Sequence, residues 1–280
     1  MISVIIVTYN RLNAIEHCIR AVLDQPEKKE IIIIDNCSGD NTAEILKNKY
    51  GDRIKLIRNE FKENLAYCKN IGARQAQGGI IAFTDDDCIP ALNWLARILL
   101  CFNLGNCDIL AGPVRLEKKL HFPWWWQPSL NWAIGIAEIG SKKFLPLGSN
   151  LAFKKDVYME IESLLKKRPA DKEIIYSEEN FRIITAIKKG YKVRLDGSLI
   201  VYHSIGQERL SFKYLIKRGW LEGKHWALNE RTPKVLTTRI FALLLNPLKF
   251  ILTLDFNRLL RCIVSAAYII TFFKNYAHSH

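Results

Sequence analysis

Glu30-Ile-Ile-Ile-Ile-Asp35 sets four consecutive isoleucines between two acidic residues. A strand with one wet face alternates apolar and polar side chains. A strand apolar at every position is buried on both faces, as in a parallel sheet covered by helices. Three more runs share this character: Ser3-Val-Ile-Ile-Val-Thr8, Ile54 to Ile57, and Ile80-Ile-Ala-Phe-Thr84. Helical spacing separates them. Leu12, Ile15, Ile19, Val22 and Leu23 share one helical face. Asn41, with Glu44 three residues on, resembles a capping box opening a helix that ends near Tyr50. Leu65 to Gln77 is a further helix, closed by Gly78-Gly79. This alternation predicts an open, doubly wound α/β fold with a mixed, mainly parallel sheet flanked by helices. Ligands of such sheets bind beyond the carboxyl ends of the strands. That singles out Tyr9, Asn10, Asp35, Asn36 and Asp85-Asp86-Asp87.

Downstream, a helix is expected from Pro90 to about Phe102, and a strand over Asp108 to Val114. Residues 115–146 are irregular and hold Phe122-Pro-Trp-Trp-Trp126. Helices follow near Lys155 to Leu165 and Ser177 to Lys189, with Lys166 to Lys172 as loop; the last strands are Tyr191 to Leu195 and Leu199 to His203. The length of 280 residues suits one large α/β domain, expected over 1–223, with a helical extension over 224–280. Apolar residues at 49% and charged residues at 25% exclude a disordered, collagen-like or coiled-coil chain.

The charge is +13, from 41 Lys+Arg against 28 Asp+Glu. Twelve of the basic residues and four of the acidic ones lie between Ile205 and His280. The same quarter holds the longest apolar runs, Ile240 to Leu254 and Ile263 to Phe273. Basic and apolar together favour a membrane surface over nucleic acid. Neither run reaches the roughly 18 uninterrupted apolar residues of a clear span, and Pro247 is expected to kink or split the first. Two tilted or interfacial helices fit the pattern; a helical cap packed on the core is the alternative. The seven cysteines are odd in number, without CxxC pairs, and read as reduced thiols of a cytosolic protein. No charged segment precedes the first strand, so no signal peptide is expected.

Asp85-Asp86-Asp87 carries the most chemistry. Three adjacent carboxylates repel and are penalised by desolvation. A divalent cation removes that penalty, and Mg2+ or Mn2+ takes oxygen ligands together with substrate phosphates. Side-chain alternation predicts Asp85 and Asp87 on one side and Asp86 on the other. A solvated acidic turn is the plainer reading.

Seven motifs in order resemble the family 2 glycosyltransferases, which have the GT-A fold. They are Ser3 to Asn10; Ile32 to Thr42 around Asp35; Asn64, Lys69-Asn70 and Gly72; Phe83 to Asp87, similar to the DXD motif; Gly148-Ser-Asn150-Leu-Ala-Phe153, similar to the acceptor-side loop; Ser177-Glu-Glu179-Asn-Phe-Arg182, at the "ED" position; and Val201-Tyr-His203 with Arg209 and Arg218. The resemblance implies transfer of a sugar, with inversion, from a nucleotide-diphosphate sugar to a hydroxyl of a glycan or lipid-linked acceptor. The expected setting is surface polysaccharide or glycolipid synthesis at the inner face of the cell membrane, with no nucleic-acid partner. It implies roles as well. Asp35 reads the base, with Thr8, Tyr9 and Asn10 around base and ribose. Lys69 offsets phosphate charge, and Asp85 and Asp86 face ribose or sugar. Asp87, with His203, holds Mn2+ or Mg2+. Glu179 is the general base. Glu178, Asn150, Arg209 and Trp125 belong to the acceptor or diphosphate side.

The sequence departs from the family pattern in three places. Glu179 stands where Asp is usual, Leu65 where Gly often follows Asn64, and Lys166 to Lys172 lacks a Gly-rich stretch. His203 is equally readable as a structural histidine, the Trp run as packing under a loop, and the two arginines as a solvated basic face. Two other functions stay open. One is a non-catalytic sugar-nucleotide or membrane-binding module. The other is a DxD-type phosphohydrolase with Asp85 as nucleophile, although Ile89 stands where that motif has Thr or Val.

Overall fold

Ile31 and Ile33 pack into one hydrophobic core, while Ile32 and Ile34 pack into a second on the opposite face of the same strand. This is the two-sided burial that the unbroken isoleucine run predicts. Each such side chain contributes roughly 1.5–3 kcal/mol. The computed structural model describes residues 1–105, 107–139, 146–165, 178–229 and 233–277. The strand, β2 (Lys29–Asp35), pairs in parallel with β1 (Ile2–Thr8) and β3 (Lys55–Arg58), and β1 pairs in parallel with β4 (Ile80–Asp85). β8 (Leu151–Lys154) runs antiparallel between β4 and β6 (Ile109–Ala111), and β9 (Val193–Leu195) closes the edge parallel to β6. The order is β3-β2-β1-β4-β8-β6-β9. Register sets Thr8 opposite Asp35 and Val7 opposite Asp85, so three strand ends finish level. A smaller sheet joins β10 (Val201–His203) to β5 (Cys88–Pro90) and β7 (Val114–Leu116).

The helices cover both faces. α1 (Leu12–Leu23) and α4 (Trp94–Asn103) enclose the first core; α3 (Leu65–Gln75), α5 (Lys155–Leu165) and α6 (Glu178–Lys188) enclose the second. Gly72 lets α3 lie close on β1, since a Cβ there would come within 2.5 Å of Ile5 Cγ2. The helix α2 (Thr42–Tyr50) begins differently from expectation. Asn41 is left-handed at φ 59 and makes no side-chain cap; Asp40 Oδ1 takes the Thr42 N–H instead, at 3.2 Å.

The described chain divides into two compact units. One comprises 1–118, 136–165 and 178–204, the other 119–135 and 205–277. Residue 224, where the helical extension was expected to begin, lies within α7 (Phe212–Asn229). In the second unit α9 (Phe256–Ala277) packs against both α7 and α8 (Pro233–Thr253). α8 passes through Pro247 as one helix, so the expected split does not occur. Its windows at Lys234–Thr253 and Phe256–Lys274 in α9 are long and apolar enough to cross a membrane by length and composition. Phe241, Leu244, Leu248, Ile251 and Leu252 form one exposed stripe along α8.

Candidate active site

The acidic triplet sits where β4 stops. The chain leaves the extended path at Asp86 and Asp87, so strand alternation does not apply to them. Both face Arg11: its Nη1 donates to Asp86 Oδ1 at 3.0 Å and to Asp87 Oδ2 at 2.9 Å. Thr8 Oγ1 donates to Asp86 Oδ2 at 2.8 Å. Both oxygens of Asp86 are thus engaged within the protein. It braces the turn against the end of β1. Burial pushes its carboxyl up to about 6, against the opposing pull of Arg11. Asp85 is also raised by burial, with Lys69 acting against the shift.

His203 reaches the triplet through the small sheet. Its cross-strand partner is Cys88, and its Nε2 lies 3.2 Å from Asp87 Oδ1, both residues buried. Ligating atoms of Asp87, Cys88 and His203 lie within 4.8 Å of one another. The Asp87 carboxylate is the kind of oxygen donor that Mg2+ and Mn2+ take, and the His203 imidazole adds a nitrogen donor. The residues therefore fit a divalent cation.

At the end of β2, Asp35 is 0% exposed. Its Oδ2 accepts from Ser38 N at 3.3 Å and faces Arg58 Nε at 3.4 Å. Its Oδ1 is buried with no hydrogen-bond partner. The neighbouring loops are tied together: Asn10 N donates to Ser38 Oγ at 2.9 Å, and Gly39 N donates to Asn10 Oδ1 at 2.7 Å. The Tyr9 ring is exposed and carries Lys62 Nζ at 3.6 Å from its centroid.

A second charged pair joins α3 to α6. Lys69 Nζ donates to Glu179 Oε1 at 2.8 Å. Burial raises the Glu179 carboxyl, but the charge and hydrogen bond of Lys69 outweigh it and leave the group below its usual value. Glu179 is accordingly ionised at neutral pH. Gly148 closes against this pair: a Cβ there would overlap the Glu179 carboxylate and come within 2.7 Å of Lys69 Nζ.

The other residues expected on the acceptor or diphosphate side are placed as follows. Asn150 is fully buried, its Oδ1 accepting from Trp94 Nε1 at 2.9 Å and its Nδ2 donating to the carbonyls of Pro113 and Leu199 at 2.9 and 2.7 Å. It fastens β-strand connections and has no amide hydrogen left for an acceptor. Trp125 stacks on Phe212 at 4.0 Å inside the helical unit, whereas Trp124 is 88% exposed. Arg209 lies in a 3-10 turn, Gln207–Leu210, of the helical unit. Arg218 pairs with Glu222 at 3.1 Å. Glu178 opens α6, and its side chain, like the loop Lys166 to Lys172, lies outside the described residues. Arg11 and Arg58 were not singled out from the sequence as members of the site. For Arg11 the signal was its place directly after Tyr9-Asn10.

A parallel half-sheet that turns antiparallel beside a DXD-bearing turn, flanked by helices, is the GT-A fold. Residues 3–162 match the family described as glycosyl transferase family 2, more than half of the chain, and the chain belongs to that family. It is 24% identical over 236 residues to the glucosyl-dolichyl phosphate glucuronosyltransferase of Haloferax volcanii, covering 79% of this chain and 75% of that protein. Glycosyltransferase AglE of the same organism is 33% identical over 118 residues, 40% of this chain and 39% of its own length. The putative teichuronic acid biosynthesis glycosyltransferase TuaG of Bacillus subtilis is 38% identical over 134 residues, 44% and 53% of the two chains. The match thus spans less than two thirds of AglE and of TuaG. Two solved structures share the fold. Mannosyltransferase PcManGT of Pyrobaculum calidifontis, with GDP-Man and Mn2+, has a TM-score of 0.59 at 19% identity, covering 82% of this chain and 64% of that one. S. aureus TarS 1–349 with UDP-GlcNAc has 0.57 at 15% identity, covering 100% and 92%. Family membership removes the phosphohydrolase reading.

Proposed function

We propose that the protein transfers a sugar, with inversion and with help from a divalent metal, from a nucleotide-diphosphate sugar to a hydroxyl on a glycan or lipid-linked acceptor. The observation that carries this reading is the arrangement at the level strand ends: an unpartnered buried oxygen on Asp35, and an acidic turn whose Asp87 meets His203. Asp35 would accept an N–H of the base, with Tyr9 beside it. Asp87 and His203 would hold Mn2+ or Mg2+, which when bound offsets the charge of the diphosphate leaving group, and Asp85 would face the ribose or donor sugar. Asp86, through Thr8 and Arg11, keeps that turn in place. Lys69 adds positive charge beside the phosphates. Glu179 would take the acceptor hydroxyl proton, and its ionised state suits a proton acceptor. A base facing the anomeric carbon from the side opposite the leaving group gives inversion in one displacement.

Among relatives, names such as GalNAc(5)-diNAcBac-PP-undecaprenol beta-1,3-glucosyltransferase, from Campylobacter jejuni, support a lipid-linked acceptor in glycolipid or surface-polysaccharide synthesis. The apolar stripe of α8 supports peripheral contact with the membrane at its cytoplasmic face. Residues 233–277 carry six basic residues against one acidic, a balance that suits an anionic leaflet. The test is release of nucleoside diphosphate from a panel of UDP-, GDP- and dTDP-sugars, with polyprenyl-phosphate-type acceptors. Release should need Mn2+ or Mg2+ and should fall on the order of 10³-fold in Asp87→Ala. Donor binding without release across these acceptors would favour a non-catalytic module.

A further inference from the structure

Between α8 and α9, inside the helical unit, lies a cleft of about 390 Å3. That volume falls within the range of small-molecule sites, about 300–1,000 Å3. Three of the residues lining it are cations: Arg239 and Lys249 from α8, and Arg261 from α9. No acidic residue is among the described residues that line it. The neighbouring carboxylates are engaged elsewhere. Glu222 on α7 is held by Arg218 and Trp226, and Asp255, between α8 and α9, faces Arg258. Lys249 and Arg261 make no ion pair among the described residues. Both are exposed, so a ligand meets them without parting the helices. Arg239 is located by two rings, its guanidinium lying 5.8 Å from the centroid of Trp226 and 5.7 Å from that of Tyr268. The wall also holds Ser265, whose buried Oγ has no hydrogen-bond partner among the described residues.

Cations gathered around a cleft repel one another and are stabilised by an anion. Their number points to the kind of anion. A phosphodiester carries a single negative charge, whereas a phosphomonoester carries about 1.5 to 2 at neutral pH. The apolar lining adds a second requirement. Phe241 and Leu245 line the same cleft and are exposed, and from Leu245 the apolar face of α8 continues through Leu248 and Leu252. Cations bordered by exposed apolar surface match a charged head joined to an apolar chain, which neither nucleic acid nor a soluble phosphate offers.

We propose that the cleft between α8 and α9 is a headgroup site for a membrane lipid ending in a phosphomonoester or diphosphate. Lys249, Arg261 and Arg239 meet the phosphate, and the lipid chain lies along the apolar face of α8. The inference rests on the membrane reading above and adds a discrete site and the class of headgroup it takes.

Co-flotation of the full chain with phosphatidylcholine vesicles tests it. The vesicles carry either phosphatidate, a phosphomonoester, or phosphatidylglycerol, a phosphodiester, in amounts adjusted to equal surface potential. Phosphatidate vesicles should bind at least about fivefold more tightly, the scale of one further cation engaged. Lys249→Gln with Arg261→Gln should bring the two kinds to within about twofold of each other. Lys234→Gln with Lys274→Gln removes the same charge from exposed positions of α8 and α9 outside the cleft. That pair should weaken both kinds alike and keep the preference. Inorganic phosphate, titrated by calorimetry, should bind at least about tenfold more weakly than phosphatidate, because it lacks the chain. Equal binding of the two vesicles by the unaltered chain would overturn the proposal and leave peripheral contact standing. So would a preference that survives Lys249→Gln with Arg261→Gln or is lost in Lys234→Gln with Lys274→Gln, or inorganic phosphate binding as tightly as phosphatidate. Binding to neither kind of vesicle would overturn both.

Discussion

The two compact units solve the problem of exposed surface in opposite ways. At the strand ends of the α/β unit, carboxylates already have cations of their own: Asp86 and Asp87 share Arg11, Glu179 has Lys69, and Asp35 has Arg58. In the helical unit, α8 turns a row of large apolar side chains outward, Leu252 at 82% exposure among them. The first region is electrostatically organised in advance of any ligand, so binding there exchanges partners rather than ordering loose side chains. The second gains nothing from its own chain, and becomes favourable only against an apolar medium. Paired charges mark the strand ends of the first unit, and exposed apolar area marks α8 in the second.

The comparison breaks first at Glu179. Glu179→Gln keeps the length and shape of the side chain but removes its basicity. Turnover should drop on the order of 10³-fold while nucleotide affinity stays within about twofold. Turnover near wild type would place the base elsewhere. Next comes Gly148→Ala, whose added methyl occupies the space of the Glu179 carboxylate. It should lower kcat by about 10- to 100-fold with little change in melting temperature, because the methyl displaces the tip of a side chain rather than backbone. A large loss of stability with kcat preserved would contradict that account.

The opposite region is probed with Leu248→Asp and Ile251→Asp together. Partition onto vesicles containing phosphatidylglycerol should fall at least tenfold, since each buried leucine-sized side chain is worth about 1.5–3 kcal/mol. Binding of UDP should be unaffected. Unchanged partition would show that the stripe meets something other than lipid.

The smallest effect concerns pH. The native Asp86 carboxyl is raised to about 6, so its contribution favours folding at low pH and is lost as pH rises through about 6. Glu179 is shifted the other way, so its contribution is present above its unfolded pKa and lost as pH falls. In metal-free buffer, Asp86→Asn should flatten the decline of melting temperature between about pH 4 and 6, by a few degrees at most. An unchanged slope would mean that the Arg11 bridge fully offsets burial of the carboxylate.

The sheet was legible because unbroken apolar runs leave few alternatives. Isoleucines 31 to 34 had to find apolar surroundings on both faces, and they did. Asp35 and the acidic triplet were legible as residues that follow such runs. Three kinds of information were not. Arg11 reaches residues 75 and 76 positions away, a pairing set by β1 lying next to β4 rather than by any local pattern. Asn150 stands in a recognisable motif, but its amide turns inward to fasten backbone carbonyls, and a motif does not record which way a side chain faces. Within Trp124-Trp125-Trp126, a run of identical residues carries no periodicity, so nothing in it distinguished the buried indole from the exposed one. Pro247 misled for a simpler reason. A proline removes one helical hydrogen bond, and a 21-residue helix can continue past that loss.

The pairing of Asp87 with His203 also has a consequence for synthesis of the chain. β1, β4 and the acidic turn leave the ribosome more than a hundred residues before β10 does. Until then Thr8 and Arg11 are already in place against the turn, and His203 is not. A message cut short, or a ribosome stalled, between residues 88 and 202 yields a chain with its first four strands complete and its Asp87 lacking the imidazole. Such fragments should bury their isoleucines yet be unable to assemble the full set of donors around the turn, which ties completion of the site to completion of translation through β10.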